Sequence, residues 1–242
     1  MPNFIAISGP TGVGKTVMAI ALTKEIDAEI ISFDSRQIYH ELKIGVARPS
    51  NEELNQVKHH LIAHRSIQES YSAQDFVNEF YQLTQNEQDA KNYILVGGTG
   101  FYLQAVENGL DDLPDISQNT REKIQVEFNE KGIEYLQNRL KEIDSKSFAT
   151  IDIQNPRRVQ RILELWDEHK LVYSDLIQNK SSKIEYSIKH IVLDIPRTLL
   201  YERINFRVDE MIGDGLMDEV KSLIPYRHLN ALNTVGYKEL FD

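Results

Sequence analysis

Apolar and polar positions along the first hundred residues alternate in blocks that are typical of a parallel sheet. Short apolar runs at Phe4–Ser8, Glu29–Phe33 and Tyr93–Val96 predict three buried strands. Between them, residues 15–26 and residues 72 to about 90 carry apolar side chains at helical spacing and predict two helices. Strands that alternate with helices of this length predict a parallel, doubly wound α/β sheet.

A helical segment interrupts this pattern in the middle of the chain. Residues 115–186 contain four or five stretches with helical periodicity, of which Gln118–Lys131 and Pro156–His169 are the clearest. Proline is favourable at the first position of a helix, which supports the start of the second of these. The segment has no convincing strand pattern, so we expect an all-helical unit there.

Strand character returns near the end of the chain. The run His190–Asp194 predicts a fourth strand, and the apolar stripe after Pro196 predicts a long helix. We therefore expect a discontinuous α/β core, residues 1–110 and 190–242, that is interrupted by a helical insertion, residues 111–189. Thr234–Phe241 predicts a last helix without a terminating glycine or proline, so either the helix ends there or the chain is cut within a longer element.

Composition places the chain among soluble globular proteins, with 41% hydrophobic and 26% charged residues. No apolar run is long enough to span a membrane, and the first residues lack the basic region of a signal peptide. Cysteine is absent, which excludes disulfides and thiol chemistry and leads us to expect a cytoplasmic protein. The net charge of −10 argues against a general nucleic-acid coat but does not exclude local contact with RNA.

The strongest chemical signal is the glycine-rich loop between the first predicted strand and the first predicted helix. Its sequence, Gly9-Pro-Thr-Gly-Val-Gly-Lys-Thr16, has the spacing of a P-loop. Backbone N–H groups of such a loop converge on phosphate oxygens, and the lysine neutralises their charge. We expect a nucleotide such as ATP, or another diphosphate, to bind Gly9, Pro10, Thr11, Gly12, Val13, Gly14, Lys15 and Thr16, with the Thr16 hydroxyl as a ligand of Mg²⁺.

The loop alone does not define the reaction. A GTPase should carry an Asn-Lys-x-Asp motif, and the nearest string, Asn179-Lys-Ser-Ser182, lacks the aspartate. A small-molecule kinase that uses ATP stays open, because its lid and acceptor site leave weaker sequence signatures. Zinc is not expected at His59, His60 and His64, since no carboxylate or cysteine completes a known ligand set.

Two further motifs follow predicted strands, where open α/β sheets place ligand-binding residues. Asp34-Ser-Arg-Gln-Ile-Tyr39 follows the second strand, and its aspartate is suited to be a general base, a Mg²⁺ ligand or the acceptor of a simple turn. Leu95-Val-Gly-Gly-Thr99 closes the third strand, and Thr99 is suited either to a phosphate oxygen or to a plain helix cap.

Taken together and in this order, these motifs resemble those of the tRNA dimethylallyltransferase (tRNA isopentenyltransferase) family. The P-loop is shared with many families, but the whole set is specific and spans the chain. It consists of Gly9–Thr16, Asp34–Tyr39, Ile44-Gly-Val-Ala-Arg-Pro49, His59-His60-Leu61, Tyr71-Ser72-Ala73, Leu95–Thr99, Asn155-Pro-Arg-Arg-Val-Gln-Arg161 and Val235-Gly-Tyr-Lys238. The resemblance implies a P-loop NTPase-like parallel sheet core with an all-helical insertion domain.

The resemblance also implies a reaction. The family transfers a dimethylallyl group from dimethylallyl diphosphate to N6 of the adenine at tRNA position 37, next to the anticodon. Asp34 is then the base that accepts the amine proton, and the P-loop with Lys15 and Mg²⁺ stabilises the leaving diphosphate. By the same resemblance, Thr99 helps to position the diphosphate and the adenine, and Arg203 matches a family position that contacts the diphosphate. Arg207 projects from the same side of the helix as Arg203.

For the tRNA anticodon stem-loop, the resemblance implies contacts from the second-strand motif and from the helical insertion. The residues are Asp34, Ser35, Arg36, Gln37, Thr99, Arg121, Arg157, Arg158, Val159, Gln160 and Arg161. Gln37 can offer both a donor and an acceptor to an adenine edge, and the base is expected to leave the anticodon stack. Prenylation of free AMP or ADP is the nearest alternative, but a long insertion favours a macromolecular acceptor. We expect a monomer.

Two departures from the family pattern stand out. Arg48 occupies a position that is usually lysine, which keeps the charge but changes the phosphate geometry. The family continues past the Gly-Tyr-Lys motif with a basic helical stretch, whereas this sequence stops at Asp242. We therefore expect the sequence to be a shortened form of a longer protein.

Overall fold

The computed structural model describes residues 3–85, 91–111, 113–177 and 187–241. The chain divides into two compact units. The α/β unit comprises Met1–Glu107 and Ile184–Asp242, and the helical unit comprises Asn108–Lys183. Among the described residues, no helix is long and apolar enough to cross a membrane.

The α/β unit is built on a five-stranded sheet, in which every pairing is parallel. Its strands are β1 (Asn3–Ser8), β2 (Ala28–Ser32), β3 (His59–His60), β4 (Asn92–Val96) and β5 (Ile188–Val192), in the order β3-β2-β4-β1-β5. The predicted parallel α/β sheet is therefore confirmed. The two-residue strand β3 was not predicted, because it is too short to show alternation.

Six helices of this unit are described. They are α1 (Lys15–Ile26), α2 (Asn51–Gln56), α3 (Ala73–Thr84), α4 (Gly100–Asn108), α9 (Arg197–Gly213) and α10 (Leu216–Leu223). Capping boxes begin α2 at Ser50 and α3 at Ser72. In each, the serine hydroxyl accepts the backbone N–H of the third helical residue, whose carboxylate accepts the backbone N–H of the serine. The predicted extension of α3 to residue 90 falls partly on residues 86–90, which lie outside the described residues.

Apolar side chains cover both faces of this sheet. Ala19 and Ile20 of α1 pack on one face against Ile7, Ile30 and Ile94. An aromatic cluster lies on the other face, where Phe4 stacks on Tyr93 and Phe76 stacks on Tyr102. Burial on both sides holds the strands rigidly, so the loops at their carboxyl ends are well placed to carry a site.

The helical unit consists of α5 (Gln118–Ile143), α6 (Ser145–Thr150), α7 (Pro156–His169) and α8 (Tyr173–Leu176). Helix α5 is broken at Gly132, whose φ of 76° and ψ of 179° are not helical, so the predicted end at Lys131 coincides with the break. Helix α7 has the predicted bounds, because Asn155 caps it and Pro156 occupies its first turn. Apolar residues of α5 and α7 form the core of this unit.

The end of the chain corrects one prediction. Thr234–Phe241 is not a continuous helix, and only a 3₁₀ turn forms at Lys238–Leu240. Gly236 adopts a φ of +93°, which a right-handed helix does not allow, and this breaks the predicted helix at its third residue. The last predicted strand is also shifted, since β5 occupies Ile188–Val192.

Candidate active site

The P-loop connects β1 to α1 through three glycines with positive φ. Gly9, Gly12 and Gly14 have φ values of 146°, 83° and 102°. A Cβ atom at Gly9 would lie 2.5 Å from the Leu193 carbonyl oxygen, so the loop passes too close to the chain after β5 for any side chain. The loop then enters α1 at Lys15, which places a helix N-terminus beside its backbone N–H groups.

Three cationic side chains converge on this loop. The Lys15 ammonium donates to the carbonyl oxygens of Gly9 and Pro10, both at 2.9 Å, and Arg203 of α9 donates to the Val13 carbonyl oxygen at 3.4 Å. Burial lowers the pKa of Lys15, an effect that Asp34 opposes and Arg207 reinforces. Since Asp34 and Arg207 both act on the Lys15 ammonium, each of them lies near Lys15.

Arg207 lies one turn of α9 beyond Arg203 and is the more buried of the two. Burial lowers its pKa, and Glu53 and Glu210 oppose this only at a distance. A half-buried cation that forms no salt bridge with the described residues is costly unless an anion binds it. Arg207 is therefore suited to an anionic ligand of the P-loop, which its sequence position beside an apolar stripe did not indicate.

Asp34 lies in the turn after β2, with its two carboxylate oxygens in different surroundings. Its Oδ1 accepts the backbone N–H groups of Arg36 at 2.9 Å and Gln37 at 3.3 Å, which fixes the side chain. Its Oδ2 faces Gly98, where an added Cβ atom would lie 3.3 Å away. One oxygen is thus anchored by the turn, while the other is available to accept a proton.

Thr99 joins the ends of two neighbouring strands. Its hydroxyl accepts the Ser35 backbone N–H at 2.9 Å and donates to the Ser35 hydroxyl at 3.0 Å, and its own N–H donates to the Phe33 carbonyl at 3.3 Å. Gly97 permits this approach, because a Cβ atom there would lie 2.5 Å from the Phe33 backbone. Asp34, Ser35 and Thr99 are therefore brought together, as the sequence motifs predict.

The next two residues of the motif are held differently from the prediction. The Arg36 guanidinium donates to the carbonyls of Asn230, Ala231 and Asn233, at 3.0, 3.2 and 3.4 Å, so it holds the end of the chain. The Gln37 amide nitrogen donates to the carbonyls of Val46 and Ala47, at 3.2 and 3.1 Å. Gln37 consequently retains only its oxygen for a ligand, which corrects the expected donor-and-acceptor pair.

A small pocket between α1 and the sheet contains two polar atoms that sequence reasoning missed. Thr16, Ser32, Gln37 and His59 line it together with apolar residues. The Ser32 hydroxyl and His59 Nε2 are buried without a hydrogen-bond partner among the described residues. Burial lowers the pKa of His59, and its Nδ1 lies 2.9 Å from the Val57 carbonyl, so Nε2 is a bare acceptor.

The hydroxyl oxygens of this pocket are suitable ligands for Mg²⁺, because this ion prefers oxygen. Beside a diphosphate it needs only one or two ligands from the protein. Of the three histidines at which zinc is not expected, His59 lines this pocket, and the other two are paired with carboxylates. His60 contacts Glu29 at 2.6 Å, and His64 contacts Glu79 at 2.8 Å. No group of three or more histidine, aspartate or glutamate side chains suited to a metal occurs among the described residues.

In the helical unit, the residues expected to contact tRNA divide into two groups. Arg121, Arg157 and Arg158 are exposed, and Arg161 is half-buried with its guanidinium 3.8 Å from Glu164. Val159 and Gln160, in contrast, are 0% and 3% exposed. They face the core of the unit, so the expectation of RNA contact through these two side chains is corrected.

Comparison with known proteins gives one consistent result. The family model described as IPP transferase matches residues 37–242. A tRNA dimethylallyltransferase of Flavobacterium psychrophilum is 43% identical over 250 residues, which cover all of this chain and 81% of the relative. A second relative with the same name, from Flavobacterium johnsoniae, is 40% identical over 249 residues, with the same coverage.

Solved structures agree with this result. A tRNA isopentenylpyrophosphate transferase of Bacillus halodurans aligns with a TM-score of 0.67 at 36% identity, covering all of this chain and 77% of its own. A eukaryotic dimethylallyltransferase acting on tRNA aligns with a TM-score of 0.76 at 25% identity, covering 94% of this chain and 57% of its own. This chain is thus similar to transferases of one kind in both sequence and fold.

Proposed function

This chain belongs to the IPP transferase family, and from that premise we propose that it transfers a dimethylallyl group from dimethylallyl diphosphate to N6 of the adenine at tRNA position 37. The observation that carries the proposal is the arrangement around the P-loop. Asp34, a carboxylate with one oxygen not used by its turn, and Arg207 both lie within electrostatic reach of Lys15 at a diphosphate-binding loop. A base for the acceptor and a cradle for the leaving group therefore share one site.

The reaction is a displacement at the first carbon of the prenyl group. The adenine N6 lone pair forms the new C–N bond while the bond from that carbon to the diphosphate oxygen breaks. The amine proton passes to Asp34 Oδ2, and the electron pair of the broken bond leaves with the diphosphate. An exocyclic amine is a weak nucleophile, so a carboxylate within hydrogen-bond reach lowers the barrier by accepting this proton.

The leaving diphosphate gains negative charge as the C–O bond breaks, and the loop opposes that charge. The backbone N–H groups of Gly9–Thr16 and the N-terminus of α1 provide a fixed positive potential. Lys15, Arg203 and Arg207 add three positive charges from two helices. When bound, Mg²⁺ would neutralise further charge on the diphosphate, and the hydroxyls of Thr16 and Ser32 would hold it.

The helical unit is proposed to bind the tRNA anticodon stem-loop. Arg121, Arg157 and Arg158 are exposed on α5 and α7, and arginine pairs well with phosphate oxygens. The adenine must leave the anticodon stack to reach Asp34, since chemistry on a base requires its extrusion. Loops of RNA favour this, because their bases are already partly unstacked. We further propose that the protein is a cytoplasmic monomer.

An acceptor competition tests the proposal against its two alternatives. The protein is incubated with dimethylallyl diphosphate labelled in the prenyl group and with tRNA that lacks the modification, AMP or ADP as acceptor. Label in the tRNA, at the nucleoside N6-dimethylallyladenosine after digestion, is the expected result. Label in AMP or ADP alone would show that the acceptor is a free nucleotide and not tRNA. Transfer of the γ-phosphate of ATP to any acceptor without prenylation would establish a kinase instead.

A further inference from the structure

Two sequence motifs without a role in the displacement lie against each other in the α/β unit. The segment Ile44–Pro49 and the segment Val235–Lys238 meet at Glu219 of α10. The Glu219 carboxylate accepts the backbone N–H of Ile44 at 2.9 Å and that of Gly45 at 3.1 Å, and it also accepts the Tyr237 hydroxyl. We refer to Glu219 and Tyr237 as the loop clamp.

The loop clamp depends on close packing at two glycines. A Cβ atom at Gly45 would lie 2.6 Å from Cζ of Tyr237, and one at Gly236 would lie 3.1 Å from the Gly45 carbonyl oxygen. Tyr237 is fully buried. Burial and the neighbouring Glu219 carboxylate raise the pKa of the Tyr237 hydroxyl, so it stays protonated and donates at neutral pH. The contact is thus charge-assisted and shielded from water.

The opposite side of the clamped loop holds Gln37. Ala47 adopts a left-handed φ of 48°, and its N–H closes the turn on the Ile44 carbonyl at 2.8 Å. This turn directs the carbonyls of Val46 and Ala47 at the Gln37 amide nitrogen, at 3.2 and 3.1 Å. Rotating the amide by half a turn would place its oxygen against two carbonyl oxygens. The loop therefore sets which end of the Gln37 amide it holds, the nitrogen, and which end it leaves for another donor, the oxygen.

The remaining atom of this amide, Gln37 Oε1, is a pure acceptor beside the proposed base. The backbone N–H of Gln37 is itself bound to Asp34 Oδ1 at 3.3 Å, so the two side chains leave one turn. Adenine carries a donating amine at C6, whereas hypoxanthine and guanine carry an accepting oxygen there. A Gln37 oxygen that meets the C6 substituent of the base would therefore favour adenine over purines that have an oxygen at C6.

We propose that Glu219 and Tyr237 are positioning residues which act through the Ile44–Ala47 turn on Gln37, and that the fixed Gln37 oxygen selects a purine with an amino group at C6. The inference rests on the proposed function, since it takes the adenine of tRNA as the base that meets Asp34. Neither Glu219 nor Tyr237 needs to touch the substrate.

The test compares binding of two anticodon stem-loop RNAs that differ only at position 37, adenosine in one and inosine in the other. Inosine lacks the amine and carries the C6 oxygen. The wild-type protein is expected to bind the adenosine RNA at least tenfold more tightly, because the inosine oxygen opposes Gln37 Oε1 and a buried acceptor stays unpaired. Glu219→Gln is expected to reduce this preference to about threefold or less, since its amide cannot accept all three donors.

The matched control is Asp218→Asn, which removes a neighbouring carboxylate whose side chain is 87% exposed and only 3.5 Å from Lys221. It should keep the full preference. Tyr237→Phe removes a single hydroxyl and serves as the second variant if Glu219→Gln does not fold. In both clamp variants the KM for dimethylallyl diphosphate should stay within about twofold, because the P-loop contacts are unchanged.

Two results would overturn the inference: equal binding of both RNAs by the wild-type protein, or an equal loss of affinity for both RNAs in the clamp variants. The second pattern is what a purely structural role predicts. Failure of the proposed function is distinguishable, because the wild-type protein would then transfer no prenyl group to the adenosine RNA at all.

Discussion

Replacing Asp34 with asparagine separates the two roles that the structure gives to this carboxylate. Its Oδ1 closes the turn after β2 by accepting the N–H groups of Arg36 and Gln37, and its Oδ2 is the proposed proton acceptor. Asparagine keeps an oxygen for the turn but offers an amide nitrogen in place of the second oxygen. Asp34→Asn should therefore leave the fold intact and remove only the base.

The magnitude follows from these contacts. A positioned general base accelerates a reaction roughly 10²–10⁴-fold. The turnover of Asp34→Asn should fall by this factor, which corresponds to an activation free energy that is higher by about 3–5 kcal/mol. Asp34→Ala removes the same base and also the two turn hydrogen bonds, each with a net contribution of about 0.5–1.5 kcal/mol. The alanine variant should thus be less stable than the asparagine variant by about 1–3 kcal/mol.

The assay is single-turnover prenyl transfer with saturating tRNA and dimethylallyl diphosphate, accompanied by tRNA binding and by denaturant unfolding of each variant. Both variants are expected to bind tRNA within a few-fold of the wild type while the transfer rate collapses. If Asp34→Asn retains more than about a tenth of the wild-type rate, Asp34 is not the general base, because the loss is then smaller than the roughly hundredfold minimum for such a base. The role of Oδ1 in the turn is contradicted if the asparagine and alanine variants are equally unstable.

Three further changes probe the loop, the cations and the helical unit. Gly97→Ala should cost about 1–3 kcal/mol of unfolding free energy, because its Cβ would lie 2.5 Å from the Phe33 backbone, whereas Gly100→Ala, with no atom within 4 Å, should cost nothing measurable in the same denaturant titration. Arg207→Met should raise the KM for dimethylallyl diphosphate about tenfold or more while leaving the ligand-free melting temperature equal or higher, since the desolvation cost of a half-buried cation is lost. A lower melting temperature with unchanged KM would contradict this. Arg158→Ala should weaken tRNA binding and make the slope of log affinity against log salt about 0.7–0.9 shallower, and an unchanged slope would show that this exposed residue contacts no phosphate.

Local signals allowed much of this fold to be predicted. The P-loop was found because its glycines and lysine have a fixed spacing between a strand and a helix. Helix α7 was bounded correctly because Asn155 and Pro156 are strong start signals. The break in α5 coincided with Gly132, since a glycine can adopt a φ of 76° that ends a helix. Each of these features is determined by residues close together in the sequence.

The remaining features depend on contacts between residues far apart in the chain. The sequence predicts that the Gln37 amide donates to and accepts from a base, but its nitrogen donates to the carbonyls of Val46 and Ala47 instead. Glu219 carries no motif, because its role arises only when α10 meets the Ile44 turn and Tyr237. In the helical unit, burial also depends on such distant contacts and could not be predicted from the motif. Val159 lies inside a motif rich in arginine, yet its side chain is in the core.

The central claim is that the phosphates held by the P-loop are the leaving group and not the cargo. The most direct measurement uses dimethylallyl diphosphate that carries ¹⁴C in the prenyl group and ³²P in the diphosphate, with unmodified tRNA as acceptor. We expect ¹⁴C to enter the tRNA at one adenosine, with one ³²P-labelled diphosphate released for each prenyl group transferred and no ³²P in the tRNA. Retention of ³²P in the tRNA, or release of ³²P without ¹⁴C transfer, would contradict it.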